Sequence, residues 1–152
     1  MCGFFFSDQI TRRGIVIGVD LQSMEPIEGV VLFPCHDFTL PDTQDKILTT
    51  LDNRLADVVI SDMAPSASGH NDLDHDRIAK LCLCVLQFST RVLKNGGHVL
   101  CKIWDGQDCE YLMKIMERMF KTVKIVKPSA SRAGSAEVYL LGVNYFLQKR
   151  TT

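Results

Sequence analysis

Apolar and polar positions follow one another along most of this chain in two distinct rhythms. Short, mostly apolar runs with the pattern of buried strands occupy residues 14–20, 30–37, 56–62 and 98–104. Between them, residues 42–51 and a long stretch that ends at Leu93 carry apolar side chains at helical spacing. This succession of strand and helix predicts a doubly wound α/β sheet with crossover helices.

The last third of the chain departs from that succession. A further helix is predicted where apolar side chains share one helical face: Leu112, Ile115, Met116, Met119 and Phe120. Residues 122–127 and 137–145 then have strand patterns, and only a polar segment joins them. Two consecutive strands without a helix between them predict an antiparallel hairpin that closes the sheet.

Composition narrows the possible partners. The chain has 152 residues, 46% of them hydrophobic, and a formal net charge of −1, so binding of nucleic acid would depend on a local basic cluster. No apolar run approaches the roughly 20 residues of a membrane-spanning helix. The six cysteines lie mostly in apolar runs without a C-x-x-C pair. We therefore expect neither a metal nor a membrane partner.

Charged residues stand at the ends of the predicted strands. Asp20, Asp37 and Asp62 end three of them, and Lys102 lies near the end of the fourth. The carboxyl ends of parallel strands share one edge, where open α/β sheets bind their ligands. Asp20 is a candidate nucleoside ligand, because a carboxylate can accept hydrogen bonds from both ribose hydroxyls. Taken alone, Asp20 fits a turn cap as well as it fits a nucleoside ligand. For Asp62 and Lys102 taken alone, a structural ion pair is favoured over a functional role.

Several short motifs, in this order, resemble the FtsJ-like ribosomal RNA 2′-O-methyltransferases. They are SDMAP at 61–65, LDHDR at 73–77, GG at 96–97 with CKIW at 101–104, KP-x-x-SR at 127–132 and EVY at 137–139. The resemblance runs from about residue 14 to about residue 145 and is closest to a mitochondrial member. It implies a Rossmann-like, S-adenosylmethionine-dependent methyltransferase fold. It also implies 2′-O-methylation of large-subunit ribosomal RNA, with uridine as the target.

The resemblance implies roles for individual residues as well. The implied catalytic residues are Lys102, Asp62 and Glu137, three members of a Lys-Asp-Lys-Glu set. The resemblance further implies that Asp20 holds the cofactor ribose, that Asp37 and the backbone at Phe38 read the adenine, and that Asp62 also borders the cofactor. The implied partner is the precursor of the large ribosomal subunit. The implied location is mitochondrial, although residues 1–7 show no presequence pattern.

A basic cluster near the predicted hairpin is a candidate RNA-binding surface. Lys124, Lys127 and Arg132, with Lys121 beside them, can neutralise phosphates of an RNA backbone. A solvated protein surface is an equally good interpretation of such a cluster.

The beginning of the chain departs from the family pattern. The first lysine of the catalytic set has no counterpart, nor do the family's first strand, its glycine-rich cofactor loop and the helix that follows. We therefore expect an atypical segment at residues 1–13 and an incomplete methyltransferase domain at residues 14–152. Either the sequence is a fragment or splice form in which two central strands are left with unpaired backbone groups, or residues 3–6 form a makeshift strand between them.

Two other classes of function are alternatives to the methyltransferase. A catalytically inactive form that keeps only an RNA or ribosome contact surface fits the absent cofactor loop. A nicotinamide-dependent dehydrogenase does not fit, because no G-x-G-x-x-G precedes the strand that ends at Asp20.

Overall fold

The computed structural model describes residues 14–65, 71–128 and 135–146, together with the backbone of residues 2–6. Within these ranges lie seven strands and three helices. The strands are β1 (Cys2–Phe6), β2 (Ile15–Val19), β3 (Val30–Phe33), β4 (Ala56–Ser61), β5 (Leu93–Trp104), β6 (Phe120–Val126) and β7 (Glu137–Tyr145). The helices are α1 (Pro41–Leu51), α2 (Asn71–Val92) and α3 (Gln107–Met116).

All seven strands form one sheet in the order β3-β2-β1-β4-β5-β7-β6. β2 pairs with β3, and β4 with β5, in parallel. β7 is antiparallel to both β5 and β6, which confirms the predicted closing hairpin. The sheet and its crossover helices confirm the predicted Rossmann-like α/β class.

The first strand occupies the centre of the sheet. β1 pairs antiparallel with both neighbours, so that Gly3 faces Gly18 of β2 on one side and Ile60 of β4 on the other. The expectation of unpaired central strands is therefore wrong, and the alternative of a short pairing strand is what the structure has. Only residues 7–14 separate β1 from β2. A parallel crossover needs a dozen or more residues, so this short connection requires the antiparallel direction.

One face of the sheet packs against the helices. Side chains there are excluded from solvent, including Ile17 of β2, Val59 of β4, Ile47 of α1, Leu86 of α2 and Leu112 of α3. Alternation along β5 directs Cys101 and Ile103 into this core, where both are fully buried. Lys102 therefore points away from this core, and Trp104 ends the strand at the carboxyl edge of the sheet, where its ring reaches His75 of α2; both side chains are partly exposed.

Local sequence sets several boundaries. Pro41 begins α1, a position that suits proline because the first helical N–H has no partner within the helix. Asp52 ends the helix in the left-handed conformation, with φ of 47°. β3 stops at Phe33, before Pro34, and not at residue 37 as the apolar run indicated, since proline has no N–H for the ladder.

Two predicted helix ends are displaced. α3 ends at Met116 and does not reach Phe120, which instead begins β6, where it stays buried and its ring lies 5.5 Å from that of Tyr145. α2 ends at Val92, and Leu93 already pairs with Ala56 of β4 before an irregularity in the strand pairing, within which Gly96 has a φ of 81°. Among the described residues, no helix combines the length and apolar composition that crossing a bilayer requires.

Candidate active site

A cavity of about 520 Å³ opens at the carboxyl edge of β2, β3 and β4. Its lining includes the three strand-terminal aspartates Asp20, Asp37 and Asp62 that the sequence singled out. The other lining residues are Val19, Leu21, Gln22, His36, Phe38, Met63, Ala64 and Leu81. The structure therefore gathers the predicted cofactor residues around one concave surface, as expected for the carboxyl edge of an open α/β sheet.

Asp20 presents an ionised carboxylate to this cavity. Its Oδ1 accepts a hydrogen bond of 2.8 Å from the Gln22 N–H, and this bond lowers the pKa of Asp20 below its ordinary value. The Asp20 carbonyl accepts a second bond, of 2.9 Å, from the His36 N–H. These bonds tie the loop after β2 to the loop after β3 and hold the carboxylate in place.

Asp37 serves a turn as well as the cavity. Its Oδ1 accepts hydrogen bonds from the Thr39 N–H at 2.8 Å and from the Thr39 hydroxyl at 2.7 Å, an Asx-type turn that leads into α1. The Phe38 ring is buried and packs edge-on against Phe88, with centroids 5.3 Å apart. The Phe38 carbonyl accepts from the Gln44 amide at 3.2 Å. Because the Phe38 ring belongs to the core, only its backbone can address a ligand.

The three implied catalytic residues meet beside the cavity. The Lys102 Nζ lies 2.7 Å from Asp62 Oδ1 and 4.0 Å from Glu137 Oε1. The Lys102 side chain is only 12% exposed, whereas Asp62 is 55% and Glu137 is 48% exposed. A mostly buried lysine thus holds its ammonium between two carboxylates that remain open to solvent and to ligands.

Tyr139 joins this group, although no role for it was predicted from the sequence. Its hydroxyl donates a hydrogen bond of 2.6 Å to Asp62 Oδ1, the oxygen that also pairs with Lys102. Tyr139 faces Lys102 directly in the pairing of β7 with β5. A signal was present, because alternation along a strand puts Tyr139 on the same face as Glu137.

Charges and hydrogen bonds shift the titration of both Tyr139 and Asp62. The bond to Asp62 raises the pKa of Tyr139 to about 12, with burial and the nearby carboxylates of Asp62 and Glu137 acting in the same direction. Partial burial raises the pKa of Asp62, but the hydrogen bonds from Lys102 and Tyr139 outweigh it, and the pKa falls below its ordinary value. Asp62 is therefore an anion and Tyr139 a neutral donor at neutral pH.

His36 is a second cavity residue that the sequence did not single out. Its Nδ1 lies 2.7 Å from the Pro34 carbonyl, to which it donates, and its Nε2 accepts from the Lys46 ammonium at 2.8 Å. The ring therefore has a fixed orientation at the edge of the cavity. Nothing in the local pattern of residues 34–37 indicates this contact, because it depends on how α1 packs.

The basic cluster is only partly described. Lys121 and Lys124 are exposed on β6. The Lys127 Nζ donates to the Ser135 carbonyl at 2.9 Å, which links the two arms of the hairpin. Arg132 lies outside the described residues. Within the described part of the chain no group of three or more His, Cys, Asp or Glu side chains could hold a metal ion.

The fold and this site together define a Rossmann-like methyltransferase sheet with a charged centre at its carboxyl edge. The family match extends over residues 5–145, and the chain belongs to the FtsJ-like methyltransferase family. This confirms the resemblance seen in the sequence motifs. The family takes its methyl groups from S-adenosylmethionine.

Curated relatives carry names that agree with this family. The chain is 44% identical over 139 residues to rRNA methyltransferase 2, mitochondrial, of Caenorhabditis elegans, covering 88% of this chain and 64% of the relative. It is 41% identical over 134 residues to ribosomal RNA large subunit methyltransferase E of Parvibaculum lavamentivorans, covering 88% of this chain and 52% of the relative. The chain thus spans between about half and two thirds of the length of these relatives.

A solved structure shares the fold. The crystal structure of a protein described as a ribosomal RNA methyltransferase from Plasmodium falciparum superposes with a TM-score of 0.74 at 24% sequence identity. The match covers 85% of this chain and 71% of that one.

The cavity suits one half of S-adenosylmethionine better than the other. Carboxylates at Asp20 and Asp62 can accept from ribose hydroxyls and balance a sulfonium charge. The acidic residues that line the cavity, Asp20, Asp37 and Asp62, offer no attraction to the methionine carboxylate. The described residues therefore fit the nucleoside and the sulfonium centre.

Proposed function

We propose that this chain catalyses the S-adenosylmethionine-dependent methylation of a ribose 2′-hydroxyl in large-subunit ribosomal RNA. The observation that carries the proposal is the position of the Lys102 Nζ, 2.7 Å from Asp62 on the cavity side and 4.0 Å from Glu137. Uridine as the target nucleotide and a mitochondrial location are part of the same proposal. The names of the relatives from Caenorhabditis elegans and Parvibaculum lavamentivorans support the ribosomal substrate.

The cavity residues would hold the cofactor. Asp20 accepts from the ribose hydroxyls, Asp37 and the Phe38 backbone address the adenine, and Asp62 balances the positive sulfonium. When bound there, S-adenosylmethionine supplies an electrophilic methyl group. Asp62 suits this place because its lowered pKa keeps it ionised at neutral pH.

Lys102 is the residue that we assign to the acceptor hydroxyl. Methyl transfer would require the 2′-hydroxyl to give up its proton, and bound S-adenosylmethionine would supply the methyl group. Lys102, once its ammonium has released a proton, would take this proton as an amine, and Asp62 and Glu137 would accept hydrogen bonds from the ammonium that results. Tyr139 fixes the shared Asp62 oxygen through its 2.6 Å bond, so that the carboxylate keeps one orientation.

The basic cluster would bind the RNA backbone. Lys124 is exposed on β6, at the edge of the sheet on the side of β7 away from Lys102. We extend this surface to Lys127 and Arg132 from the sequence pattern. Each phosphate that such residues neutralise makes RNA binding more sensitive to salt.

The acidic lining favours a second candidate function. Because the charged aspartates of the cavity give the methionine carboxylate no cationic partner, this chain could bind RNA through its basic cluster without turnover. Calorimetry separates the two candidates. Measurable binding of S-adenosylmethionine supports the enzyme, and RNA binding without any cofactor binding supports the inactive form.

A transfer assay tests the enzyme directly. The purified chain is incubated with methyl-labelled S-adenosylmethionine and either a protein-free large-subunit RNA transcript or assembled subunit particles. We expect label in RNA at sites that resist alkaline cleavage, because a methylated 2′-oxygen cannot attack the adjacent phosphate. DNA of the same sequence, which has no 2′-hydroxyl, is the matched control. Equal label in DNA and RNA, or none in either RNA substrate, would contradict the proposal.

A further inference from the structure

Trp104 is an aromatic side chain beside the catalytic group that the proposed chemistry does not use. It is the last residue of β5, two positions after Lys102, and it faces Glu137 in the pairing with β7. Residues two apart on a strand share a face, with side chains roughly 7 Å apart. Trp104 is partly exposed there, whereas Phe88 and Phe120 are buried in the core.

The Trp104 ring packs against a ring of α2. It makes an edge-to-face contact with His75, with centroids 4.9 Å apart and planes at 77°. Gly106 lies close by, since a Cβ added there would come within 3.8 Å of His75 Cε1. This contact leaves the indole partly exposed, so apolar ring surface remains available at the site.

The arrangement around Lys102 has two sides. Asp62 lines the cavity, so the methyl donor approaches from that side. Trp104 does not line the cavity, and it lies with Glu137 beyond Lys102. For in-line transfer the acceptor oxygen must reach Lys102 from the side away from the donor. In a nucleotide the base is attached to the carbon next to the one that bears the 2′-hydroxyl, so a base on this acceptor side of Lys102 comes within reach of Trp104.

We infer that Trp104 is the platform on which the base of the acceptor nucleotide stacks. The inference rests on the proposed function, because it takes the position of the acceptor oxygen from it. An indole ring stacks on any base and is a common means by which proteins hold an unstacked RNA nucleotide. Trp104 would thus hold the ribose against Lys102 without selecting the base. Selection would depend on other contacts.

Fluorescence tests the contact without relying on catalysis. The chain contains a single tryptophan, so its indole emission reports on Trp104 alone. A hexamer of uridines should quench this emission, and a hexamer of the same charge with abasic riboses should not. Equal quenching by both oligomers, or strong quenching by S-adenosylhomocysteine alone, would overturn the inference. Base-dependent quenching in a preparation that transfers no methyl group would overturn the proposed function and leave the base contact standing.

Variants give the second test. Trp104→Ala should raise the KM for RNA by between about 5-fold and about 100-fold, the range observed for one lost base–aromatic stack, while the KM for S-adenosylmethionine stays constant. Trp104→Phe keeps a ring and should recover most of the loss. Tyr111→Ala is the matched control, since Tyr111 is an exposed aromatic residue on α3. If Trp104→Phe is as poor as Trp104→Ala in folded protein, or Tyr111→Ala has the same effect, the base does not stack on Trp104.

Discussion

Two lysine–aspartate pairs join β4 to β5, at opposite ends of these strands. Lys94 pairs with Asp57 near the amino end, and Lys102 pairs with Asp62 at the carboxyl end. Their exposure is reversed. In the first pair the carboxylate is the more buried member, with Asp57 20% and Lys94 36% exposed, and in the second the lysine is, with Lys102 12% and Asp62 55% exposed. The same chemical pair therefore serves as a cross-strand tie at one end and presents reactive groups at the other.

The two pairs also differ in their surroundings. Asp62 borders the cavity and shares one oxygen with Lys102 and Tyr139, whereas Asp57 lies beside the irregular turn around Gly97. A neighbouring cavity and additional hydrogen bonds make an ion pair a candidate active site. The distance between its lysine nitrogen and its carboxylate oxygen does not.

The largest expected difference is in catalysis. Lys102→Ala should lower kcat by at least about 100-fold, because a positioned proton-transfer group contributes roughly 10²- to 10⁴-fold. Affinity for S-adenosylmethionine should change little, since the lysine addresses the hydroxyl and not the nucleoside. Lys94→Ala, the matched control, should leave kcat nearly unchanged. Methyl transfer to large-subunit RNA measures both variants, and similar losses would show that the two pairs are equally structural.

The next largest difference is expected between substitutions of Asp62 and of Asp57, in cofactor affinity and in kcat. Asp62→Ala should reduce kcat and also weaken S-adenosylmethionine binding by about 10-fold, the scale of one lost charge-assisted hydrogen bond. Asp57→Ala should leave cofactor binding unchanged below its unfolding temperature. Calorimetric titration gives the affinities. Unchanged binding in Asp62→Ala would place this carboxylate outside the cofactor site.

Tyr139 gives a smaller effect with a characteristic pH dependence. Tyr139→Phe removes a donor that lowers the pKa of Asp62, so this pKa should rise in the variant. Asp62 acts as an anion and is protonated as the pH falls, and the acid limb of the kcat profile should therefore move to higher pH in the variant. At neutral pH kcat should fall by about 5-fold, the scale of one hydrogen bond. Tyr111→Phe is the control, and an unmoved acid limb in Tyr139→Phe would separate Asp62 from catalysis.

For the free energy of unfolding we expect the opposite ranking, with a larger loss when the pair of Lys94 and Asp57 is broken. Lys94→Met should lower the free energy of unfolding by about 1 kcal/mol, because it removes a partner from the mostly buried Asp57 carboxylate. Lys102→Met should cost less, since water can replace the lysine at the half-exposed Asp62 and Glu137. Methionine keeps the length of the buried stem in both. Denaturant unfolding at neutral pH measures both variants, and a larger loss in Lys102→Met than in Lys94→Met would contradict this ranking.

The sequence predicted the strands well where both of their ends carry a signal. β7 has the predicted bounds of residues 137 and 145 because its largely apolar run starts after a polar segment and ends at Tyr145. α3 was extended too far, since Phe120 continues the helical spacing while being buried from a strand. The antiparallel direction of β1 could not be predicted from its own residues. It is set by the short connection to β2 and by the pairing of β1 with β2 and β4.

The residues of the candidate site were predicted from the sequence, but several contacts between them were not. Strand ends alone gathered Asp20, Asp37 and Asp62 at one edge, and the family motifs added Glu137 to Lys102. The hydrogen bond from Tyr139 to Asp62 could not be derived, because it depends on the register between β7 and β5. The contact of His36 with Lys46 depends in the same way on the packing of α1.

The central position of β1 has a consequence for cooperativity. In the described sheet β1 is the strand whose hydrogen bonds join the β2–β3 pair to the four strands beyond it. Two-stranded pairs are marginal alone, so detachment of β1 would release β2 and β3 as one unit in amide hydrogen exchange. Asp20 follows β2 and Asp62 follows β4, and the cavity therefore draws its walls from both units. A nucleoside bound across this seam would slow exchange on its two sides together, by the mass action of a ligand that binds only the closed form.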